Sequence, residues 1–236
     1  MPVKMSRILK LNKILLISIF LSCSLNLSIA GDQAKHEKPV SSETKKKIRP
    51  KCPKDMVHIH RGLISCKKDQ DAKGTTLIFL EEFCIDRYEF PNKKGEIPST
   101  KITWFEAEVY CKKLEKRLCK GEEWEKACAG KNLLKYSYGD IYQPEKCGQS
   151  EKTRRDVDRS GSHPGCVSQY GVHDMIGGVW EWTDDPKNRT YIKRGGYVNA
   201  NLDEANCFTR TPQAPKQAGM HDGFRCCKDI PVQLKD

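Results

Sequence analysis

From residue 56 onward the apolar positions come in short runs, and the first, Met56-Val57-His58-Ile59-His60, alternates in the manner of a strand with one buried face. "TTLIFL" (75–80) and "FCIDRYEF" (83–90) have the same β-rich character before Pro91-Asn92 and Gly95 break the pattern. The period then changes. In "TWFEAEVYCKKLEK" (103–116), Trp104, Ala107, Cys111 and Leu114 recur at helical spacing and are expected to face the core. Thr103 followed three residues later by Glu106 is a capping box, which fixes where that helix starts. "GEEWEKACAG" (121–130) predicts a second, shorter helix, with acids in its first turn and Gly130 at its end. Beyond Gly130 the chain is loop-rich, through "YSYGD", "RSGSHPG", "MIGGVW", "KRGGY" and "HDGFR". Two helices among short strands and long loops predict an irregular α+β domain.

The first thirty residues do not fit this domain. Lys4, Arg7, Lys10 and Lys13 precede the apolar run "ILLISIFLSCSL" (14–25), and "LSIA" leads to Gly31. A basic start, an apolar middle and a small-residue end predict a secretory signal peptide over 1–30, cleaved after Ala30. The run is short of the roughly 20 residues a membrane span needs. Cys23 is the candidate lipid-attachment residue and the one route to a membrane anchor, so the expected location is periplasmic, cell-surface or secreted.

The net charge of +11 dissolves once it is placed along the chain. Residues 1–30 carry four basic groups and no acids, and 31–51 carry seven against three, which leaves 31 against 28 in 52–236. Residues 31–51 are therefore expected to be a basic flexible linker, and 52–236 the domain. No basic-aromatic patch points to nucleic acid.

Eleven of the twelve cysteines lie beyond the expected cleavage site, and none forms a C-x-x-C pair. In an exported chain that argues for a disulfide framework, each bridge contributing about 2–4 kcal/mol. An odd count leaves one thiol outside the pairs. Other chemistry is thin. His58 and His60 point to one side of a strand as a candidate metal pair, but no third ligand is evident near them in the sequence. There is no G-x-S-x-G elbow and no glycine-rich phosphate loop. Asp174 and Glu181 flank a Gly-Gly turn in "GVHDMIGGVWEWTDD" (171–185), residue types suited to calcium, although acids in a turn are commonplace without a metal.

Taken in order, "FCIDRYEFPN", "ITWFEAEVYCKKLEKRLCKGEEWEKACAG", "YSYGD", "GVHDMIGGVWEWT", "RGGY" and "HDGFRC" resemble the formylglycine-generating-enzyme (sulfatase-modifying factor) domain, over about residues 55–228. The resemblance implies a C-type-lectin-like α+β fold with several disulfides. It implies bridges from Cys111 to Cys226 and from Cys128 to Cys207, with Cys147 and Cys166 as candidates to close the loop between them. Cys52, Cys66, Cys84, Cys119 and Cys227 are left without assigned partners. It also implies calcium at Asp174, Gly177, Val179 and Glu181, the glycine and valine through their carbonyls; Gly178 stands where the family usually has asparagine.

The departure from the family concerns catalysis. Its oxidases place two copper-binding cysteines between Arg-Gly-Gly and the bridge cysteine. Here "YVNANLDEAN" (197–206) has none, and soft copper(I) prefers thiolates to amides and carboxylates. The expected function is accordingly a non-catalytic binding or structural module that takes a protein or small-molecule ligand through a 197–221 loop face. Trp180, Arg194, Tyr197, Asn199, Asn201 and Asp203 are its candidate contacts. The alternative is an oxidoreductase of the formylglycine-generating type, acting on a protein cysteine.

Overall fold

The computed structural model describes residues 51–66, 76–149, 156–197 and 205–231, apart from the side chains of Ser65 and Cys66. The expected signal peptide, Cys23, nearly all of the linker, and Asn199, Asn201 and Asp203 lie outside the described residues.

The strand-like runs at the start of the domain become β1 (Met56–Ile59), β2 (Gly62–Cys66), β3 (Thr76–Leu80) and β4 (Phe83–Asp86). The helices follow as α1 (Trp104–Lys113) and α2 (Gly121–Ala129), with β5 (Arg117–Leu118) between them. The loop-rich half holds β6 (Trp180–Lys187), β7 (Thr190–Arg194), β8 (Thr211–Gln213), β9 (Asp222–Phe224) and β10 (Cys226–Asp229). One antiparallel sheet has the order β1-β4-β10-β5 and the other the order β8-β7-β6-β9, while β2 and β3 form a hairpin. Within the second sheet β6 runs parallel to β9, which forms an edge, while β10 lies between β4 and β5 in the first. The architecture is α+β.

The capping box of α1 forms: the Thr103 hydroxyl accepts from the Glu106 N–H, and the Glu106 carboxylate accepts from the Thr103 N–H at 2.8 Å. The helix stops earlier than its periodicity suggests. Leu114 is its C-cap and Glu115 takes a positive φ of 53°, so Leu114 leaves the helical face and is 48% exposed instead of buried. Trp104, Ala107 and Cys111 do face inward, against Leu118, Trp182 and Phe224. The larger core gathers Trp124 and Ala127 of α2 with Ile59, Phe83, Ile85, Met175 and Ile176.

Among the described residues, five disulfides hold these parts together. Cys111–Cys226 and Cys119–Cys227 tie the α1–β5 region to β10, using neighbouring residues on opposite faces of one strand. Cys128–Cys207 joins α2 to the segment before β8, Cys147–Cys166 closes a 19-residue loop, and Cys52–Cys84 pins the lead into β1 against β4. Ten cysteines are thus bridged, and every cysteine side chain among the described residues is in a bridge.

Candidate functional site

Strand β6 presents its residues alternately to two sides, and the two sides have different chemistry. Glu181 faces inward and is almost wholly buried. Its Oε2 accepts from Arg225 Nε at 2.6 Å and from the Trp124 indole at 2.7 Å, and its Oε1 accepts from Arg225 Nη2 at 2.6 Å. Arg225, also fully buried, donates further to the carbonyls of Asp86 at 3.2 Å and His173 at 3.0 Å. This is a bidentate ion pair with its remaining donors satisfied, the condition under which a buried pair is tolerable. On the other side of β6, Trp180 and Trp182 share Lys193, whose Nζ lies 5.7 and 5.5 Å from their ring centroids.

Arg194 belongs to the interior and not to an accessible face. It is fully buried, donating to Glu125 at 2.8 Å and to Asp185 at 3.3 Å, and Arg210 reaches the same Glu125 oxygen at 3.0 Å. Its place next to Gly195-Gly196 in the sequence suggested a surface loop, but β7 continues through Arg194 and turns its side chain inward. Gly195 is where the chain leaves the strand: its φ is +88°, and a Cβ there would stand 2.6 Å from the Met175 carbonyl. What remains at the surface is half-buried Trp180, Tyr197 and His221. The Tyr197 ring stacks on His221 at 5.3 Å between centroids and lies 6.4 Å from Trp180.

A second polar cluster lies where the exit of β4 meets the 174–178 turn. Glu89, Asp158, Ser160, His163, Asp174 and Gly178 help to line a cavity of about 20 Å³, room for a single water-sized body. Glu89 is buried with its Oε2 accepting from the Ser160 hydroxyl at 3.2 Å and its Oε1 without a partner. Asp174 accepts the Gly161 N–H at 2.6 Å. Burial pushes the Asp174 carboxyl up to about 6. Burial, with the Asp174 and Glu181 charges nearby, holds Glu89 well above the usual carboxylate range. Gly178, at φ +59°, leaves the space against which Glu89 Oε1 rests; a Cβ there would collide with that oxygen.

The four expected calcium ligands have different surroundings. Asp174 lines the acidic cavity, Gly177 and Val179 are buried beside it in sequence, and the oxygens of Glu181 accept from the Arg225 guanidinium and the Trp124 indole. Beside Asp174 in this cavity, Glu89 is a carboxylate with a buried oxygen left over. Sequence reasoning missed it because its neighbours Ser160, Asp174 and Gly178 come from a segment some seventy residues or more away. A hard cation fits the donor set of Glu89 and Asp174, since it takes carboxylate and carbonyl oxygens and would relieve the crowding of like charges.

Comparison with known proteins agrees with this frame. The family model described as "Sulfatase-modifying factor enzyme 1-like domain" matches residues 91–230. Among curated proteins, the "Inactive C-alpha-formylglycine-generating enzyme 2" of Bos taurus is 29% identical over 154 residues, covering 57% of this chain and 51% of that one. The "Formylglycine-generating enzyme" of Bos taurus is 26% identical over 165 residues, covering 56% and 44%. The chain spans about half the length of these relatives. Among solved structures, "Treponema denticola variable protein 1" superposes with a TM-score of 0.64 at 15% identity, over 75% of this chain and 95% of that one, a likeness of fold.

Proposed function

Since the chain belongs to the sulfatase-modifying factor enzyme 1-like domain family, we propose that it is an exported member without formylglycine-generating activity, acting as a binding module through the surface around Trp180, Tyr197 and His221. One observation carries the reading. The interval 197–206, between Arg194-Gly195-Gly196 and Cys207, contains no cysteine, and Cys207 itself is bonded to Cys128. The thiol pair on which copper(I) oxidation depends in the family's oxidases has no counterpart at that place. The relative named as inactive supports the reading, and so does the fold shared with a variable protein, since variable loops on a rigid frame suit recognition.

Calcium belongs to the same proposal as a structural ion. Asp174 and Glu89 are its carboxylate donors, with the main chain of Gly177 and Val179 beside them, and Glu181 serves Arg225. Its chemistry there is to bind and neutralise, drawing the 174–178 turn to the exit of β4.

The experiment that tests the functional reading loads the purified protein with copper(I), and separately with iron(II), and follows oxygen-dependent conversion of a cysteine-containing peptide. No conversion is expected with either metal. Turnover would establish the alternative, oxidation of a protein cysteine, and overturn the binding-module reading.

A further inference from the structure

β1 carries a second constellation, outside the residues that match the family model. Val57 and Ile59 point into the main core, while Met56, His58 and His60 alternate onto the opposite face, where Met56 is buried with Cys84 and Ile230 and the histidines are partly or fully exposed. The β1–β4 register pairs Ile59 with Phe83 and His58 with Cys84, which brings Glu82, the residue just before β4, alongside the histidines. His58 Nε2 stands 3.0 Å from Glu82 Oε2, and the two imidazole centroids are 4.4 Å apart. One nitrogen from each histidine and one Glu82 oxygen all lie within 4.8 Å of one another. The cluster borders an open hollow of about 490 Å³ lined also by Lys51, Cys52, Pro53, Lys54 and Met56.

We propose that His58, His60 and Glu82 form a three-ligand site for a divalent first-row transition metal such as zinc, with its remaining coordination position open to that hollow. The ligand chemistry selects the ion: two imidazoles and a carboxylate suit zinc or iron(II), whereas calcium takes oxygen ligands. In a tetrahedral zinc site with bonds of about 2.0–2.2 Å the ligand atoms stand about 3.3 Å apart. The observed spread needs only small rotations of partly exposed side chains to reach that. The backbone at His58 is already fixed, because His58 sits on β1, paired with β4, His60 follows directly after that strand, and the Cys52–Cys84 bridge pins the lead into β1 to the register partner of His58. Three protein ligands and an open face are the pattern of a site that admits water or an anionic ligand. Lys51 and Lys54 line the hollow where such an anion would sit.

A plain His58–Glu82 ion pair is the competing account, and at 37% and 42% side-chain exposure such a pair adds little to stability. It gives His60 no part. The decisive variant is therefore His60→Ala, on an exposed side chain whose removal leaves the ion pair intact. The protein, made without a histidine tag and stripped of metal, is titrated with zinc by calorimetry, with cobalt(II) by visible absorption, and with iron(II) without oxygen. One ion per chain is expected, with affinity falling at least about tenfold in His60→Ala, His58→Ala and Glu82→Gln, and a thermal midpoint unchanged in His60→Ala without metal. Zinc and iron(II) titrations tell the two ions apart. Failure of all three metals to bind saturably, or an unchanged affinity in His60→Ala, would overturn the site.

Discussion

Glu181 and Glu89 are both almost wholly buried, a short distance apart in the same half of the domain, and their charges are handled in opposite ways. Glu181 has a guanidinium on both oxygens and an indole on one; Glu125 has Arg194 and Arg210 on its Oε2. Glu89 has a single serine hydroxyl and faces Asp174, another carboxylate. Burying a charge without a partner is costly, and a carboxyl so placed either takes up a proton or attracts a cation. The arginine-paired acids are thus structural joints. On the calcium proposal, the unpaired ones form a place where pH and a bound cation would act on the fold.

Breaking the arginine side of this contrast gives the largest expected effect. Arg225→Ala strands the Glu181 carboxylate in the core, and denaturant unfolding is expected to show a loss of about 3–5 kcal/mol. A smaller cost follows from removing the bridge next to it. Cys111→Ala with Cys226→Ala opens a link spanning 115 residues, but Cys119–Cys227 still closes almost the same loop. Loop-closure entropy then gives a loss of about 2–3 kcal/mol, where an isolated bridge of that span would be worth nearer 5. A full-sized loss in the same unfolding measurement would show that the two bridges are not redundant.

The unpaired side is expected to answer with the opposite sign. Glu89→Gln removes a crowded charge, and in chelator at pH 7.5 it is expected to raise stability by on the order of 1 kcal/mol. The gain should vanish when calcium is supplied, because the variant lacks a carboxylate donor. The same burial sets a pH dependence. Because the folded-state Asp174 carboxyl titrates at about 6, above its ordinary value of 3.8, the native state holds a proton that the unfolded chain has released between those limits. Without calcium, its contribution to stability falls as pH rises from about 4 to 6 and is then constant. Glu89 acts in the same direction. Thermal midpoints across that range should show calcium stabilising the protein more at pH 7.5 than at pH 5.

The parts of this arrangement that could be read from the sequence are the local ones. The Thr103–Glu106 capping box needs a spacing of three residues and nothing else, and it forms. Leu114 fitted the same helical period and was misassigned, because the helix ends in a turn that periodicity does not register. The fold and its crosswise bridges were implied by a family resemblance, whereas Cys52–Cys84 and Cys119–Cys227 depend on strand register. Cys226 and Cys227 serve different bridges only because β10 turns them to opposite faces. Arg194 looked exposed beside two glycines, but its strand buries it against Glu125. His58 and His60 were legible as a pair, and Glu82 was not, since it arrives by cross-strand pairing twenty-two or more residues later. Glu89 joined Asp174 in the same non-local way.

The central claim is that the 197–206 interval has exchanged the chemistry of a copper site for that of a recognition loop. Copper(I) competition against a coloured chelator tests it directly, on native protein before and after thiol alkylation, with peptide mapping of the Cys128–Cys207 bridge. The account predicts an intact bridge and no stoichiometric copper(I) capture that alkylation abolishes. One equivalent of tightly held copper(I), lost when thiols are blocked, would contradict it.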